Sequence, residues 1–249
     1  MRIKDLCRDM QVVPGGRADY ERLAACHYRG GSLGPYAAIY ALRPPASLAG
    51  WLDTETIGVI VYTMPTVGLE LRNGATGGLF AGLDRATRTR LLNRNFRRIA
   101  RVIIEPRFRS LGLAVRLVRE TMPMLGVAVI EAQAVMGRVN PFFAKAGMTA
   151  YEPGPSGRSA RMAEALAMVG IGCSGRELID PAAVQARLDA LEPRQRRFIE
   201  GEIRRFLGCY GRARHSEPSP ARTALVLSKL AFRPVYYIWF NPDVKMELP

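Results

Sequence analysis

The sequence predicts an α/β (α+β) protein built on a mixed sheet, and three observations predict it. Short β-branched runs bounded by Gly and Pro alternate with segments of helical spacing from Asp19 to Tyr151. One of those runs stops at Pro106 and feeds a loop that opens a helix at Leu113. After Tyr151 the composition changes, and helical patterning continues until a last strand-like run, Val235 to Phe240. A chain of 249 residues can bury a sizeable core, and 48% hydrophobic with 23% charged residues excludes a disordered chain.

The elements follow in order. Asp19 to Tyr28 spaces its apolar residues as a short helix does, with Gly30-Gly31 ending it. Tyr36 to Leu42 and Thr56 to Met64 read as strands, with Trp51 to Glu55 turning between them. Gly68 to Gly82 is glycine-rich and reads as a loop. Asp84 is a good N-cap for a helix running to Asn95. Arg97 to Glu105 reads as a strand, Leu113 to Met122 as a helix, and Val127 to Val135 as a buried parallel strand. Pro141 to Ala146 starts a short helix that Gly147 closes. Glu152 to Ser159 resembles a linker, and helical spacing returns over Ala160–Val169, Pro181–Leu191 and Pro193–Leu207. The expected division is therefore a core over residues 1–157, a basic helical insertion over 158–232, and a closing strand and tail over 233–249.

Several function classes lose support at once. Met1 to Pro14 lacks a signal-peptide core, and Leu225 to Phe240 is broken by Lys229, Arg233 and Pro234. The expected setting is the cytoplasm, without a membrane. Cys7, Cys26, Cys173 and Cys209 form no paired motif, and with only His27 and His215 beside them no metal site is expected. The net charge of +14 points the other way, toward polyanions. Eleven arginines lie between Arg85 and Arg119 against one carboxylate, Glu105. A second basic stretch holds Arg194, Arg196, Arg197, Arg204, Arg205, Arg212 and Arg214. DNA or RNA binding, a phosphate-rich cofactor and arginine-biased codon usage all fit these runs.

The informative order is strand, then Arg109-Ser110-Leu111-Gly112-Leu113-Ala114, then helix. A pyrophosphate needs several backbone N–H groups turned toward it, and a helix N-terminus supplies them with a favourable dipole. Gly112 allows close backbone approach, Ala114 leaves room, and Arg109 adds a cation. An ordinary tight connection has the same outline. The run from Ile103 to Ala114 resembles the central motif of the GNAT acyltransferase superfamily, and Asn140 to Met148 resembles that family's helix beside the CoA thiol. The resemblance covers roughly residues 15 to 152 and extends to the strand at 235–240. It is greatest to predicted acetyltransferase domains associated with ABC-type ATPases, and fainter to phage Mom-like DNA-adenine modification enzymes.

That resemblance implies a GNAT-like mixed sheet of six to seven strands with helices on both faces. It implies acetyl-CoA or another acyl-CoA, with Ile103 and Ile104 along the pantetheine arm, residues 109 to 114 on the pyrophosphate, and Asn140 and Phe143 nearby. An ATPase partner is implied by the resemblance alone. Phe143 stands where many members carry a tyrosine acid, so that acid is missing. Glu105 is the candidate general base, or it pairs with a neighbouring arginine. His27, Tyr28 and Tyr36 fall where the family builds its acceptor wall, the first two as proton-handling candidates. Glu131 is a carboxylate in an apolar strand, expected either near the cleft or turned toward an arginine. Three readings follow: acyl transfer to an amine, acyl or related modification of a nucleic-acid base, and a degenerate domain that binds without turnover.

Overall fold

The computed structural model describes residues 7–27, 33–45, 52, 54–152, 154, 156–172, 180–231 and 234–248. Tyr28, Cys173 and Trp51, with the side chains of Arg212 and Arg214, lie outside the described residues. The chain divides into two compact units, residues 1–152 with 234–249, and residues 153–233.

The first unit is a seven-stranded mixed sheet: β1 Gln11–Pro14, β2 Ala38–Arg43, β3 Gly58–Thr63, β4 Phe96–Ile104, β5 Val129–Ala134, β6 Thr149–Tyr151 and β7 Val235–Phe240. Its order is β1-β2-β3-β4-β5-β7-β6. Among the described residues only β4 and β5 run parallel, and β7 enters between β5 and β6 as an antiparallel strand. β1 and β6 were not expected from the sequence, because four and three residues are too few to display an alternation. The Gly68–Gly82 stretch is not all loop. It contains helix α2, Glu70–Ala75, after α1 at Arg17–Ala24. Helices α3 (Arg85–Asn95), α4 (Leu113–Met124) and α5 (Phe142–Lys145) complete the unit. The Asp84 side chain caps α3, accepting from the backbone of Ala86 and Thr87.

Alternation sends the two faces of the sheet to different helices. Ile60, Tyr62, Ile99 and Ile130 pack under Leu113, Leu117 and Val118 of α4. On the opposite face Val59, Val61 and Ile103 pack under Tyr20 and Leu23 of α1, and Val129 packs with Leu91 and Leu92 of α3. α1 is pinned at its start by Asp19, which accepts from Gly16 N–H (2.9 Å) and Thr56 Oγ1 (2.8 Å) and pairs with Arg43 (2.8 Å). Burial raises the Asp19 carboxyl, and the bonds from Gly16, Thr56 and Arg43 outweigh it, leaving its pKa below the ordinary value.

Glu131 resolves toward the second expectation. It is buried in β5 on the face away from α4, and both its oxygens are bound by Arg72 of α2, each at 2.7 Å. The Tyr236 hydroxyl of β7 donates to it at 2.9 Å. The Arg72 guanidinium also lies over the rings of Phe80 and Phe96. This cluster ties α2, β5 and β7 together, which explains a charged residue in an apolar strand.

The second unit holds α6 (Gly157–Met168), α7 (Pro181–Asp189), α8 (Pro193–Leu207) and α9 (Pro220–Ala231) around its own core of Met162, Leu188, Ile199, Ile203, Phe206 and Leu227. α9 was hidden by the Pro/Ser-rich run before it, which reads as a break; Pro220 is instead the first residue of the helix. Glu202 of α8 is held by Arg161 and Arg205, and the hydrogen bond from Arg161, more than any other cause, brings its pKa down to about 2.

Arg72→Met leaves a buried carboxylate unpaired, and a loss of about 3–5 kcal/mol is expected. Adding Glu131→Leu should restore much of that loss, read from denaturant midpoints of the single and double variants. The Glu202 contribution is present above its unfolded pKa and is lost as pH falls from the ordinary carboxylate range toward about 2. Glu202→Gln should therefore flatten the acid-unfolding profile across that window, followed by far-ultraviolet dichroism.

Candidate functional site

β4 pairs with β3 along its length, but with β5 only over Phe96–Ile99 against Val129–Ala132. Beyond that point the two strands part. The register of β4 also slips by one at the parting: Tyr62 faces Ile99 and Val61 faces Arg101, so Ala100 is an extra residue, a β-bulge. The parting opens a cleft of about 630 Å3 lined by β4, the end of β5, the turn after α1, the start of α4, and α5. Glu105 N–H donates to Ile57 on the β3 side, so alternation turns the backbone groups of Val102 and Ile104 into the cleft, and those of Ile103 away from it.

The loop from β4 to α4 is shaped for an anion. A single 3-10 turn, Pro106–Phe108, leads into Ser110 at φ 65° and Gly112 at φ 78°. Ser110 is the one non-glycine with positive φ among the described residues, a conformation that costs energy and calls for an explanation. Two left-handed residues turn successive N–H groups toward a common centre. Among the described residues, no acceptor meets the N–H of Ser110, Leu111, Gly112, Leu113 or Ala114. A Cβ on Gly112 would meet nothing within 4 Å, so the space above the loop is open.

The cleft is basic. Arg98, Arg101, Arg109 and Lys145 line it, and among the described residues no carboxylate does. Arg109 is partly engaged in the structure: Nε donates to Ile104 O (3.1 Å) and Nη2 to Cys26 O (2.9 Å). It thereby ties the end of β4 to the turn after α1, where Cys26 and His27 border the cleft. On the far wall, Phe143 stacks on Phe142 (4.2 Å between centroids) and Tyr237 (5.3 Å). The Tyr237 hydroxyl donates to Gly137 O at 3.1 Å, holding the turn that brings Asn140 to the cleft.

Of the residues singled out in the sequence, the cleft gathers His27, Ile103, Ile104, Arg109, Ser110, Gly112, Leu113, Ala114, Asn140 and Phe143. Four do not line it. Leu111 points outward at the loop tip, and Tyr36 is exposed before β2. Glu131 belongs to the buried cluster with Arg72, so the expectation of a substrate contact is corrected. Glu105 lies outside the lining, with Oε1 bound by Arg107 Nε at 2.7 Å. Its pairing reading is the one the geometry favours. Sequence reading missed Arg98, Arg101, Gln133 and Lys145, all on the cleft wall. The one available signal was the density of arginine, which does not say which side chains share a face.

Among the described residues, no group of His, Cys, Asp and Glu gathers as metal ligands, and no helix is long and apolar enough to cross a membrane. No protein-family model matches the chain, and no curated protein sequence matches it. Among solved structures the chain is similar to the NatC complex bound to Gag peptide and CoA, at 13% identity and a TM-score of 0.36, over 58% of this chain and 87% of that one. A likeness that weak carries no argument about activity. What the chain itself defines is a mixed α/β protein with a basic cleft where the parallel strands β4 and β5 part.

Gly137→Ala would bring a Cβ to 2.9 Å from Val235 Cβ and 3.0 Å from the Tyr237 hydroxyl, so about 1–3 kcal/mol of destabilisation is expected. Gly112→Ala meets open space and should lose only the roughly 1–2 kcal/mol of a left-handed residue. Thermal midpoints of the two variants compare them directly.

Proposed function

We propose that this chain is an acyl-CoA-dependent N-acyltransferase, moving the acyl group of acetyl-CoA or another acyl-CoA to an amine. The observation that carries this reading is the run of unbonded N–H groups from Ser110 to Ala114, at the mouth of a cleft between parting parallel strands. A pyrophosphate fits those donors, with the dipole of α4 adding attraction. An amide-bearing arm fits the exposed backbone of Val102 and Ile104, which offers both donors and acceptors. The thioester carbonyl would then lie near the bulge, where a backbone N–H polarises it.

In the transfer, the amine nitrogen attacks the thioester carbon, a C–N bond forms, the C–S bond breaks, and CoA thiolate leaves. Cations on the cleft wall disfavour a charged amine, so the acceptor loses its proton more readily there. His27 is the residue on the cleft wall best suited to receive that proton, directly or through water. Glu105, held by Arg107, is the less favoured base. Phe143 provides no acid, and the same cations favour departure as thiolate.

Calorimetric titration of acetyl-CoA tests the reading. Gly112→Glu and Ala114→Glu each put a carboxylate where the pyrophosphate would sit, and each should abolish binding; Ala114 is helical, so its variant carries no backbone strain. Unaltered affinity in both variants, or none in the native chain, rejects the proposal. Binding without turnover on amines, peptides or nucleic acids would favour the degenerate domain.

A second reading gives the acceptor a nucleic-acid context, and one observation favours it. On α8 the residues Arg194, Arg197, Gly201 and Arg204 fall on one exposed stripe, opposite the buried Ile199, Ile203 and Phe206. The stripe spans about 15 Å at the helical rise of 1.5 Å per residue, with Gly201 leaving its centre low. Duplex DNA binding should weaken steeply with salt, and Arg197→Ala with Arg204→Ala should lower the logarithmic salt slope by roughly two. Arg97, by contrast, folds back on the carbonyls of Asn93 and Phe96, and its loss should alter the slope little. A slope that neither change moves excludes α8 as the contact.

A further inference from the structure

In a regular strand, residues three apart lie on opposite faces. Arg98 and Arg101 are three apart, yet both lie on the face of β4 away from α4. Their partners on β3 establish this: Arg98 faces Thr63 and Arg101 faces Val61, and Val61 belongs to the cluster under α1. Ile99 and Ile104, on the other face, belong to the cluster under α4. The extra residue Ala100 is what brings the two guanidinium groups to the same side.

Both arginines line the cleft, and so does Gln133, which alternation places on that same face of β5. Glu131, which faces Arg98 across the sheet, has its oxygens occupied by Arg72 and Tyr236. Arg101 Nη1 donates to Ala100 O at 2.9 Å. Its Nε is buried and meets no acceptor. That atom is closed to solvent, whereas Nη2 meets no acceptor among the described residues and stays open, so a ligand's acceptor can reach it from the cleft. A guanidinium presents its N–H groups in a fixed planar fork, and its Nη end is matched to the oxygens of a carboxylate or a phosphate. The α4 loop, the other anion-binding feature, lies beyond the opposite end of the exposed β4 segment, after Ile104.

We infer that Arg101, with Arg98 beside it, forms a second oxyanion subsite in the cleft, separate from the α4 loop and reading a carboxylate or phosphate on the acceptor molecule. The word acceptor rests on the transferase reading; the subsite itself does not. It narrows the acceptor to an amine that carries an anionic group on the same molecule, and it gives the bulge a purpose beyond parting the strands.

The test is thermal stabilisation of the full chain by inorganic phosphate and, separately, by acetate, at matched ionic strength, with acetyl-CoA titrated alongside. Native protein and Ala114→Glu should both be stabilised by at least one of the two anions. Arg101→Gln should bind that anion at least about ten-fold more weakly, as expected for loss of a charge-assisted bond. Arg101→Lys keeps the charge without the fork and should also lose most of the response. If Arg101→Gln fails to fold, Arg98→Gln is read in its place, with the same expected loss. The larger of the Arg101-dependent phosphate and acetate responses identifies the oxyanion. An anion response equal in native and arginine variants, or absent from native protein, overturns the inference. Acetyl-CoA binding without an Arg101-dependent anion response rejects the subsite and leaves the transferase reading standing. An Arg101-dependent response without acetyl-CoA binding does the reverse.

Discussion

The parting of β4 from β5 is the constraint on which the rest of this structure depends. Two parallel strands held together along their whole length would satisfy each other's backbone groups and leave no cleft. Here they pair over four residues and separate, while β4 stays bonded to β3 and β5 stays bonded to β7. The sheet thus remains a single sheet on either side of the gap. β7 carries much of this burden, because it covers the open side of β5 and supplies Tyr236 and Tyr237 to the two clusters that brace it. A late segment of the chain is therefore structural to a cleft built mostly from earlier residues.

Arginine serves three separate purposes in this chain, and the net charge conceals the division. Some guanidinium groups act as connectors to backbone carbonyls: Arg88 to Phe80 and Leu83, Arg116 to Cys7 and Met10, Arg119 to Lys145, Arg109 to Ile104 and Cys26. Others are balanced by carboxylates, as Arg72 is by Glu131, Arg222 by Glu200 and Arg161 by Glu202. A smaller set faces the cleft or the outside of α8. Planar, multi-donor side chains suit the first purpose as well as anion binding, so arginine density alone overstates the surface available to a polyanion.

The chemistry of the cleft departs from the arrangement that the motif implies. On the transferase reading proposed above, with no carboxylate among the described residues of the wall and a phenylalanine at position 143, proton transfer would depend on His27, on solvent, and on the field of the cations. That field acts on every charged species entering the cleft. It favours anions over an ammonium, and in the proposed transfer it would ease the departure of a thiolate, so one electrostatic feature would bear on binding and reactivity together.

Local chemistry made several features legible in the sequence. Asp84 caps its helix, Pro106 ends its strand, the loop through Gly112 opens a helix, and Val235–Phe240 forms a strand, because caps, breakers and β-branched runs act over a few residues. The N–H-rich loop was legible for the same reason. Helix α2 inside a glycine-rich stretch and helix α9 after a Pro/Ser run were not, since local composition opposes them and packing decides. Tertiary structure alone settled that Glu131 is buried against Arg72 and that Glu105 turns to Arg107. It alone brought Arg98 and Arg101 to one face, because a single inserted residue reverses the alternation by which a strand is read. Sequence determines what each residue can donate, accept or bury, and only the register of neighbouring strands decides which of those groups meet.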